Sequence, residues 1–153
     1  MANTYDLAVI GSGPAGQKAA IQAAKLGKRV AIIDQSNCVG GMCIHQGAIP
    51  SKTLREAILY FTGFYHRQTY GVQRRRDLTI QDLMGRCAQV VENEASVVIA
   101  QLERNRVEVI EGQASFADEH TLKVSTTNQP QSITADYIII ATGTVPARPA
   151  SIP

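Results

Sequence analysis

The chain has 153 residues, a length typical of one domain, and its content of 44% hydrophobic and 18% charged residues is ordinary for a globular protein. No apolar run approaches the roughly 18–20 residues of a membrane-spanning helix, the N-terminus lacks a secretory signal, and the net charge of +2 indicates no particular acidic partner. Three cysteines, an odd number, favour a reducing compartment over a disulfide scaffold, so we expect a cytoplasmic protein. From the apolar runs and the charge we expect neither a membrane nor a nucleic-acid partner.

The first 34 residues have the pattern of a strand, a glycine-rich turn, a helix and a second strand. A buried strand is predicted at residues 7–10, a helix that runs to about Leu26, and a second strand at residues 29–33 that ends on Asp34. The turn has the sequence GSGPAG. This is the G-x-G-x-x-G fingerprint of dinucleotide-binding proteins, and it lies after a strand and at the start of a helix, as that fingerprint requires.

Each glycine of the fingerprint has a separate expected role. Gly11 permits the tight turn, Gly13 lets the backbone approach a pyrophosphate, and Gly16 lets the helix pack close to the strand. The free N–H groups and the dipole of the helix then favour phosphate. Asp34 is placed to accept hydrogen bonds from ribose hydroxyls and would repel a 2′-phosphate. We expect a bound dinucleotide; the alternative is a tight turn without a ligand, and the fingerprint alone does not separate FAD from NAD.

A small-residue loop and an interrupted helix are predicted after the second strand. The loop covers residues 35–42. A helix is expected to begin near Cys43 and to resume beyond Pro50 as far as Phe61, because proline removes a backbone donor and kinks or restarts a helix.

Residues 62–77 are predicted to be a polar loop. They contain the only basic run of the chain, residues 74–76. We interpret this run as solvated loop rather than as a nucleic-acid or phosphate patch, since no aromatic residues alternate with the arginines.

Apolar residues recur at helical spacing from about residue 79 to residue 104, which predicts a long amphipathic helix. Thr79 and Asp82 resemble a capping box with an acid at its fourth position. Cys87 lies on the apolar face and is interpreted as a core residue. The helix can be the return crossover to a parallel strand at residues 107–110.

Short alternating stretches at residues 114–116, 121–124 and 132–134 predict a β-meander. His120 lies between the first two and is interpreted as a polar turn residue. A separate buried strand is predicted at residues 137–140.

Residues 40–52, GGMCIHQGAIPSK, resemble the redox-helix signature G-G-x-C-x-x-x-G-C-I-P-S-K. This signature belongs to the two-dinucleotide-binding-domain flavoprotein disulfide reductases, which include lipoamide dehydrogenase, glutathione reductase and mercuric reductase. Every position matches except the second cysteine, which is Ala48. In that family two thiols cycle between disulfide and dithiol, and a disulfide needs two sulfurs on Cα atoms roughly 4.4–6.8 Å apart. Because Ala48 has no sulfur, that relay cannot form at this site.

The remaining cysteines offer no clear substitute. Cys38 and Cys43 have C-x₄-C spacing, but Cys43 fills the first position of the signature and Cys38 precedes it in the loop. We interpret Cys38 as an incidental loop thiol rather than a redox partner. For Cys43, a modest role against the flavin and a purely packing role stay open as alternatives.

One branch of the family, the soluble transhydrogenases, lacks the second cysteine and has a histidine two residues after the first. Its pattern resembles G-G-x-C-T-H-W-G-T-I-P-S-K. Cys43 and His45 fit this pattern, whereas Gln46 and Ala48 differ from its tryptophan and threonine; a polar helix position without a function is the alternative for His45. The resemblance implies an FAD-dependent oxidoreductase that transfers hydride between NADPH and NAD+, with FAD as the carrier.

The resemblance also implies roles for single residues. Cys43 and Lys52 are the implied catalytic residues, with Lys52 near N5 and O4 of the flavin, where a cation stabilises the reduced ring; a surface lysine is the alternative. Ala114 would offer backbone to the adenine. Gly143 would approach FAD, or would only let the chain turn. No metal ligand is expected. The implied cofactor-binding residues are Gly11, Gly13, Pro14, Ala15, Gly16, Asp34, Gln35, Gly40, Gly41, Met42, Cys43, Lys52, Ala114, Ala141, Thr142 and Gly143.

The implied fold class is α/β, an FAD/NAD(P)-binding Rossmann-like domain whose parallel sheet has helices on one face and a β-meander on the other. Family members continue for several hundred residues, with a pyridine-nucleotide domain, the rest of the FAD domain and a dimerisation domain. We therefore expect residues 1–153 to be the N-terminal portion of an FAD-binding domain. NAD(P)H would bind as substrate in the missing domain, and the full-length protein would be a homodimer.

Two other functions stay open. The first is a dihydrolipoamide dehydrogenase-like enzyme or a flavin reductase that passes electrons to a quinone or another acceptor. The second is a non-catalytic FAD-binding fragment, in which case the isolated chain would show little or no turnover.

Overall fold

The computed structural model describes residues 3–35, 39–62, 79–126, 129–144 and 147. Cys38, the arginine run at residues 74–76 and nearly all of the predicted loop at residues 62–77 lie outside the described residues. The strands are β1 (Asn3–Ile10), β2 (Val30–Asp34), β3 (Glu108–Glu111), β4 (Gln113–Phe116), β5 (Thr121–Ser125) and β6 (Gln131–Ile140). The helices are α1 (Pro14–Lys25), α2 (Gly41–His45), α3 (Ala48–Phe61) and α4 (Ile80–Arg104).

Within the described residues, six strands form one mixed sheet in the order β3-β2-β1-β6-β5-β4. The first four in this order are parallel, and β5 and β4 continue the sheet in antiparallel fashion. Helix α1 connects β1 to β2, and α4 leads into β3 as the predicted crossover. The carboxyl ends of the parallel strands therefore meet along one edge, where open α/β sheets bind their ligands.

Side chains alternate between the two faces of the sheet, and apolar residues occupy positions on both faces. The buried residues on the helix-covered side include Leu7, Val9, Ala20, Val30, Ile32, Val98 and Leu102. Those on the opposite side include Ala8, Ala31, Ile33, Ile110, Leu122, Val124 and Ile133. Since Leu122 and Val124 belong to β5, the meander packs over the face opposite the helices. The predicted fold class is thus confirmed.

The prediction of two separate strands at residues 132–134 and 137–140 is wrong, because both stretches belong to the single ten-residue strand β6. The first half of β6 pairs with β5, and residues 133–140 pair with β1. No glycine or proline interrupts residues 131–140, and Ala135 between the two stretches is buried. One strand therefore belongs to the parallel sheet and to the meander at once.

The helix interruption lies before Pro50, contrary to the prediction. Helix α2 ends at His45 and α3 begins at Ala48, and the N–H groups of Gln46 and Gly47 donate to the carbonyl oxygen of Met42 at 3.0 and 2.7 Å. Pro50 is the third residue of α3. It interrupts nothing there, because the N–H groups of the first helical turn have no acceptor within the helix.

Helix α4 begins with the predicted capping box. The hydroxyl oxygen of Thr79 accepts from the N–H of Asp82 at 3.2 Å, and the carboxylate of Asp82 accepts from the N–H of Thr79 at 2.9 Å. Cys87 is buried, as predicted, with its sulfur 3.7 Å from the carbonyl oxygen of Pro50. No helix in the described ranges is both long and apolar enough to cross a membrane.

Tyr5 gives the fold a measurable pH dependence. Its side chain is only 2% exposed, and the guanidinium carbon of Arg29 lies 4.8 Å from the centre of its ring. Burial, with a smaller contribution from the Glu108 carboxylate, raises the pKa of Tyr5 to about 12. The unfolded chain ionises this phenol near its ordinary pKa of about 10. The folded state therefore loses stability as the pH rises from about 10 through 12.

We predict that the Tyr5→Phe variant lacks this component. Between pH 9 and 11.5, the free energy of unfolding of the unaltered protein should fall more steeply than that of Tyr5→Phe, as measured by urea denaturation at each pH. The difference between the two curves removes the contribution of other titrating groups. Parallel curves would show that the phenol of Tyr5 is not held neutral by the fold.

Candidate functional site

A cleft of about 620 Å³ lies at the carboxyl ends of β1, β2 and β6. Its volume is in the range of small-molecule sites, and its position is the one that this sheet topology favours for a ligand. The residues of the sequence prediction that line it are Gly11, Gly13, Pro14, Ala15, Asp34, Gln35, Gly41, Met42, Cys43, Ala114, Ala141, Thr142 and Gly143. The structure thus brings together residues from five separate parts of the chain.

Close packing of backbone on backbone shapes the glycine-rich turn. Gly11 has a positive φ of 105°, and a Cβ atom at this position would overlap the carbonyl oxygen of Ala141. A Cβ atom at Gly16 would overlap the carbonyl oxygen of Gly11. At Gly13, by contrast, a Cβ atom would meet nothing within 4 Å. Gly11 thus has the conformation of a tight turn, Gly16 allows the close packing predicted for it, and Gly13 leaves open space beside the cleft.

The N-terminus of α1 lies at this cleft. Gly13 is the N-cap residue and no side chain caps the helix, while Pro14 occupies the first helical position. The first N–H groups of a helix have no partner within it, and the helix dipole gives them a partial positive charge. Uncapped N–H groups beside an open cleft form a site that suits a phosphate group.

A buried polar network behind the turn was missed by the sequence analysis. Ser12 is fully buried, and its backbone N–H donates to Oδ2 of Asp34 at 2.6 Å. The Ser12 hydroxyl donates to the same oxygen and accepts from the N–H of Gly40 at 3.1 Å. Nε2 of Gln17 donates to the carbonyl oxygen of Ser12 at 2.8 Å. The available sequence signal was a serine within the glycine fingerprint and a polar glutamine beside the small residues Gly16 and Ala20 on the buried face of α1.

Asp34 lies at the end of β2, as predicted, and is half-buried at the cleft. Besides the two bonds from Ser12, its Oδ1 accepts from the N–H of Gln35 at 2.7 Å. An ionised carboxylate has about four acceptor positions, so these bonds leave capacity for a ligand hydroxyl.

Helix α2 forms a second wall of the cleft. Gly40 and Gly41 both have positive φ, and a Cβ atom at Gly41 would lie 2.8 Å from Cα of Gly13, so this corner packs onto the glycine-rich turn. Cys43 follows with an exposed thiol. His45 ends α2 and donates from Nε2 to the carbonyl oxygen of Val39 at 2.9 Å, because a carbonyl can only accept. This bond gives His45 a structural role at the end of α2.

The cysteines that the structure describes, Cys43 and Cys87, are both free. Ala48 is the first residue of α3, and its methyl group stands at the signature position of the second sulfur. Cys87 is buried, whereas Cys43 lines the cleft. Among the described ranges, no group of three or more histidine, cysteine, aspartate or glutamate residues could hold a metal ion.

Three predicted residues lie outside the cleft lining. Gly16 packs against Gly11 behind the cleft lining. Gly40 also lies behind it, and its N–H donates to the Ser12 hydroxyl. Lys52 is exposed on α3 and lines a separate groove between α3 and α4. The role of Lys52 beside a flavin stays a prediction. Gly143 has a positive φ of 71°, the conformation that its alternative role as a turn glycine requires.

The profile of one family, "Pyridine nucleotide-disulphide oxidoreductase", matches residues 5–153. The chain belongs to the pyridine nucleotide-disulphide oxidoreductase family. The resemblance seen in the sequence is therefore confirmed, and with it the assignment to a family of oxidoreductase enzymes. Membership in this family implies a flavin cofactor.

Similar proteins agree with this assignment. The chain is 52% identical over 152 residues to the soluble pyridine nucleotide transhydrogenase of Mycobacterium tuberculosis (strain ATCC 25177 / H37Ra), and 40% identical over 150 residues to that of Colwellia psychrerythraea (strain 34H / ATCC BAA-681). Each alignment covers 97% of this chain and 32% of the relative, so the chain spans about a third of their length. Among solved structures, the Cu(II) complex of the HOCl-induced flavoprotein disulfide reductase RclA from Escherichia coli matches with a TM-score of 0.81 and 31% identity. That match covers 97% of this chain and 30% of RclA.

We predict opposite effects for two substitutions in the fingerprint. Gly13→Ala should change the free energy of unfolding by less than about 1 kcal/mol, because its methyl group meets no protein atom. The same methyl group should weaken FAD binding by about tenfold or more, because it would keep the pyrophosphate away from the protein backbone at residue 13.

Gly16→Ala is the matched control, because its methyl group overlaps protein backbone. It should destabilise the fold by about 1–3 kcal/mol or more. Urea denaturation and titration of flavin-free protein with FAD measure the two quantities. A Gly13→Ala variant that binds FAD as tightly as the unaltered protein would show that Gly13 does not face the ligand.

Proposed function

We propose that residues 1–153 form the FAD-binding portion of an oxidoreductase that transfers hydride between NADPH and NAD+, as a soluble pyridine nucleotide transhydrogenase. The observation that carries this proposal is the composition of the cleft. It brings together the fingerprint turn, the acid at the end of β2 and one cysteine, and the signature position of the second sulfur, at the start of α3, is Ala48. The identity of 52% to a protein of that name over nearly the whole chain supports it.

The cleft suits the phosphate and ribose parts of a dinucleotide. The uncapped N-terminus of α1 would hold the pyrophosphate beside Gly13, where no side chain intrudes. Asp34 would accept from a ribose hydroxyl. The backbone near Ala114 would contact the adenine, and that of Thr142 and Gly143 would line the flavin end.

When bound, the flavin would supply the two-electron chemistry, and the protein supplies position and electrostatics. This chain has Cys43 but no partner sulfur at position 48, so its part of the site cannot form the disulfide that a thiol relay needs. Exchange of hydride between two pyridine nucleotides requires no such relay. The loss of one sulfur therefore favours transhydrogenation over disulfide reduction.

The remaining parts of the proposal concern regions of the relatives that this chain does not cover. We propose that the NAD(P)H site and the contacts of a homodimer lie there, and that the whole protein acts in the cytoplasm. Pyridine nucleotides would be its substrates, and no membrane or nucleic acid would be its partner.

A second candidate is a flavin reductase with another acceptor. The match to a flavoprotein disulfide reductase at 31% identity favours keeping it. Reduction of a disulfide such as lipoamide would still need the second sulfur, whereas reduction of a quinone would not. The two candidates are separated by the acceptor that the enzyme uses.

We predict that a full-length protein containing this chain transfers hydride from NADPH to thio-NAD+ faster than it reduces lipoamide or a quinone, and that arsenite does not inhibit it. The chain 1–153 alone should show little or no NADPH oxidation, because its nucleotide site would lie elsewhere. Faster turnover with lipoamide or a quinone, or inhibition by arsenite, would contradict the proposal.

Ala48→Cys tests the sulfur argument directly. Reductive titration of this variant should consume two more electrons per flavin than the unaltered protein, since a disulfide between Cys43 and the introduced thiol becomes possible. Ala48→Ser is the matched control and should titrate like the unaltered protein. Equal electron uptake by all three would show that position 48 does not face Cys43.

A further inference from the structure

Ser12 lies at the centre of a chain of hydrogen bonds with a fixed direction. The N–H of Gly40 can only donate, and the ionised carboxylate of Asp34 can only accept. The hydroxyl between them therefore accepts from Gly40 at 3.1 Å and donates to Oδ2 of Asp34. Ser12 is fully buried, so water does not compete for these bonds.

This one hydroxyl joins two walls of the cleft. Asp34 ends β2, and Gly40 immediately precedes α2, which carries Cys43. Both walls line the cleft, and Ser12 lies 22 residues from one partner and 28 from the other along the chain. The position of the acid relative to α2 thus depends on a buried side chain that is not part of the cleft lining.

The two bonds from Ser12 also orient the carboxylate. Oδ2 accepts from both the N–H and the hydroxyl of Ser12, which places this oxygen against the buried turn. Oδ1 accepts from the N–H of Gln35 at 2.7 Å, and the Asp34 side chain is half-buried at the cleft. Ser12 therefore engages Oδ2 twice, whereas Oδ1 accepts one protein N–H and has room to accept another donor.

We propose that Ser12 is a positioning residue for dinucleotide binding: its hydroxyl holds Oδ2 of Asp34 and the backbone of Gly40, so that Oδ1 is presented to the adenosine ribose. The proposal rests on the proposed function, because it requires that the cleft binds an adenine nucleotide. It adds the residue that fixes the geometry of ribose recognition.

The test compares ADP with 2′-deoxy-ADP and 3′-deoxy-ADP as probes for flavin-free, full-length protein, by isothermal titration. The unaltered protein should bind ADP about tenfold or more tighter than the weaker-binding deoxy analogue, as expected for a hydrogen bond to a carboxylate. Ser12→Ala removes the hydroxyl bonds to Oδ2 and to Gly40, so that only backbone N–H groups hold the carboxylate, and this ratio should fall to about threefold or less. Ser12→Cys, which keeps a weak donor of similar size, should give an intermediate ratio and replaces Ser12→Ala if that variant folds poorly.

Gln17→Met is the control for a merely structural effect. It removes the buried hydrogen bond from Nε2 to the carbonyl of Ser12 and leaves the hydroxyl bonds in place. We expect it to lower the melting temperature but to keep the ratio of the unaltered protein. A Ser12→Ala ratio equal to that of the unaltered protein, or a loss of the ratio in Gln17→Met as well, would overturn the positioning role. If the unaltered protein binds none of the three nucleotides, the proposed function itself fails.

Discussion

Contact between the backbones of β1, α1 and β6 is the constraint on which the site depends. The helix begins so close to the strand that Gly16 has no room for a side-chain carbon beside the carbonyl of Gly11. The end of β6 approaches the same turn from the other side at Ala141. This packing leaves the uncapped N-terminus of α1 at the edge where the parallel strands end, and so places a partial positive charge at the cleft. Larger residues at these positions would move the helix away from the sheet.

The second wall of the cleft determines which chemistry is available. Helix α2 is only five residues long, and the break that follows it at Gln46 and Gly47 allows α3 to start anew at Ala48. In the family signature the sulfur atoms lie on either side of this interruption. Here the fold keeps the interruption, the exposed Cys43 and the glycine corner at Gly40, while the second sulfur is replaced by a methyl group. The chain therefore keeps the cleft but has no second sulfur at position 48.

Local patterns were sufficient to predict most of the fold. Residues close together in the sequence carry the signals for the strands and helix of the first βαβ unit, for the Thr79 capping box and for the long amphipathic helix. Such local signals can be recognised in a sequence. The glycine fingerprint and Asp34 also predicted where the cleft lies, because they occupy fixed positions on a strand–turn–helix unit.

The errors arose where distant parts of the chain decide the outcome. Strand β6 is continuous because β1 pairs with its residues 133–140. Short alternating stretches have the same sequence pattern whether or not they join into one strand. The break at Gly47 rather than Pro50 depends on carbonyl acceptors that only the folded turn reveals. Ser12 was overlooked because its partners, Asp34 and Gly40, are more than twenty residues away. The groove that Lys52 lines beside α4 depends on how two helices pack, and the role of Lys52 beside a flavin stays a prediction.

The most direct test of the central claim is the affinity of the flavin-free, full-length protein for FAD compared with FMN, measured by the change in flavin fluorescence on binding. FMN carries the same isoalloxazine but lacks the adenosine and the second phosphate, the parts that the α1 N-terminus and Asp34 would hold. Binding of FAD that is tighter than that of FMN by orders of magnitude is the predicted result. Equal affinity for the two flavins, or no binding of either, would contradict the account.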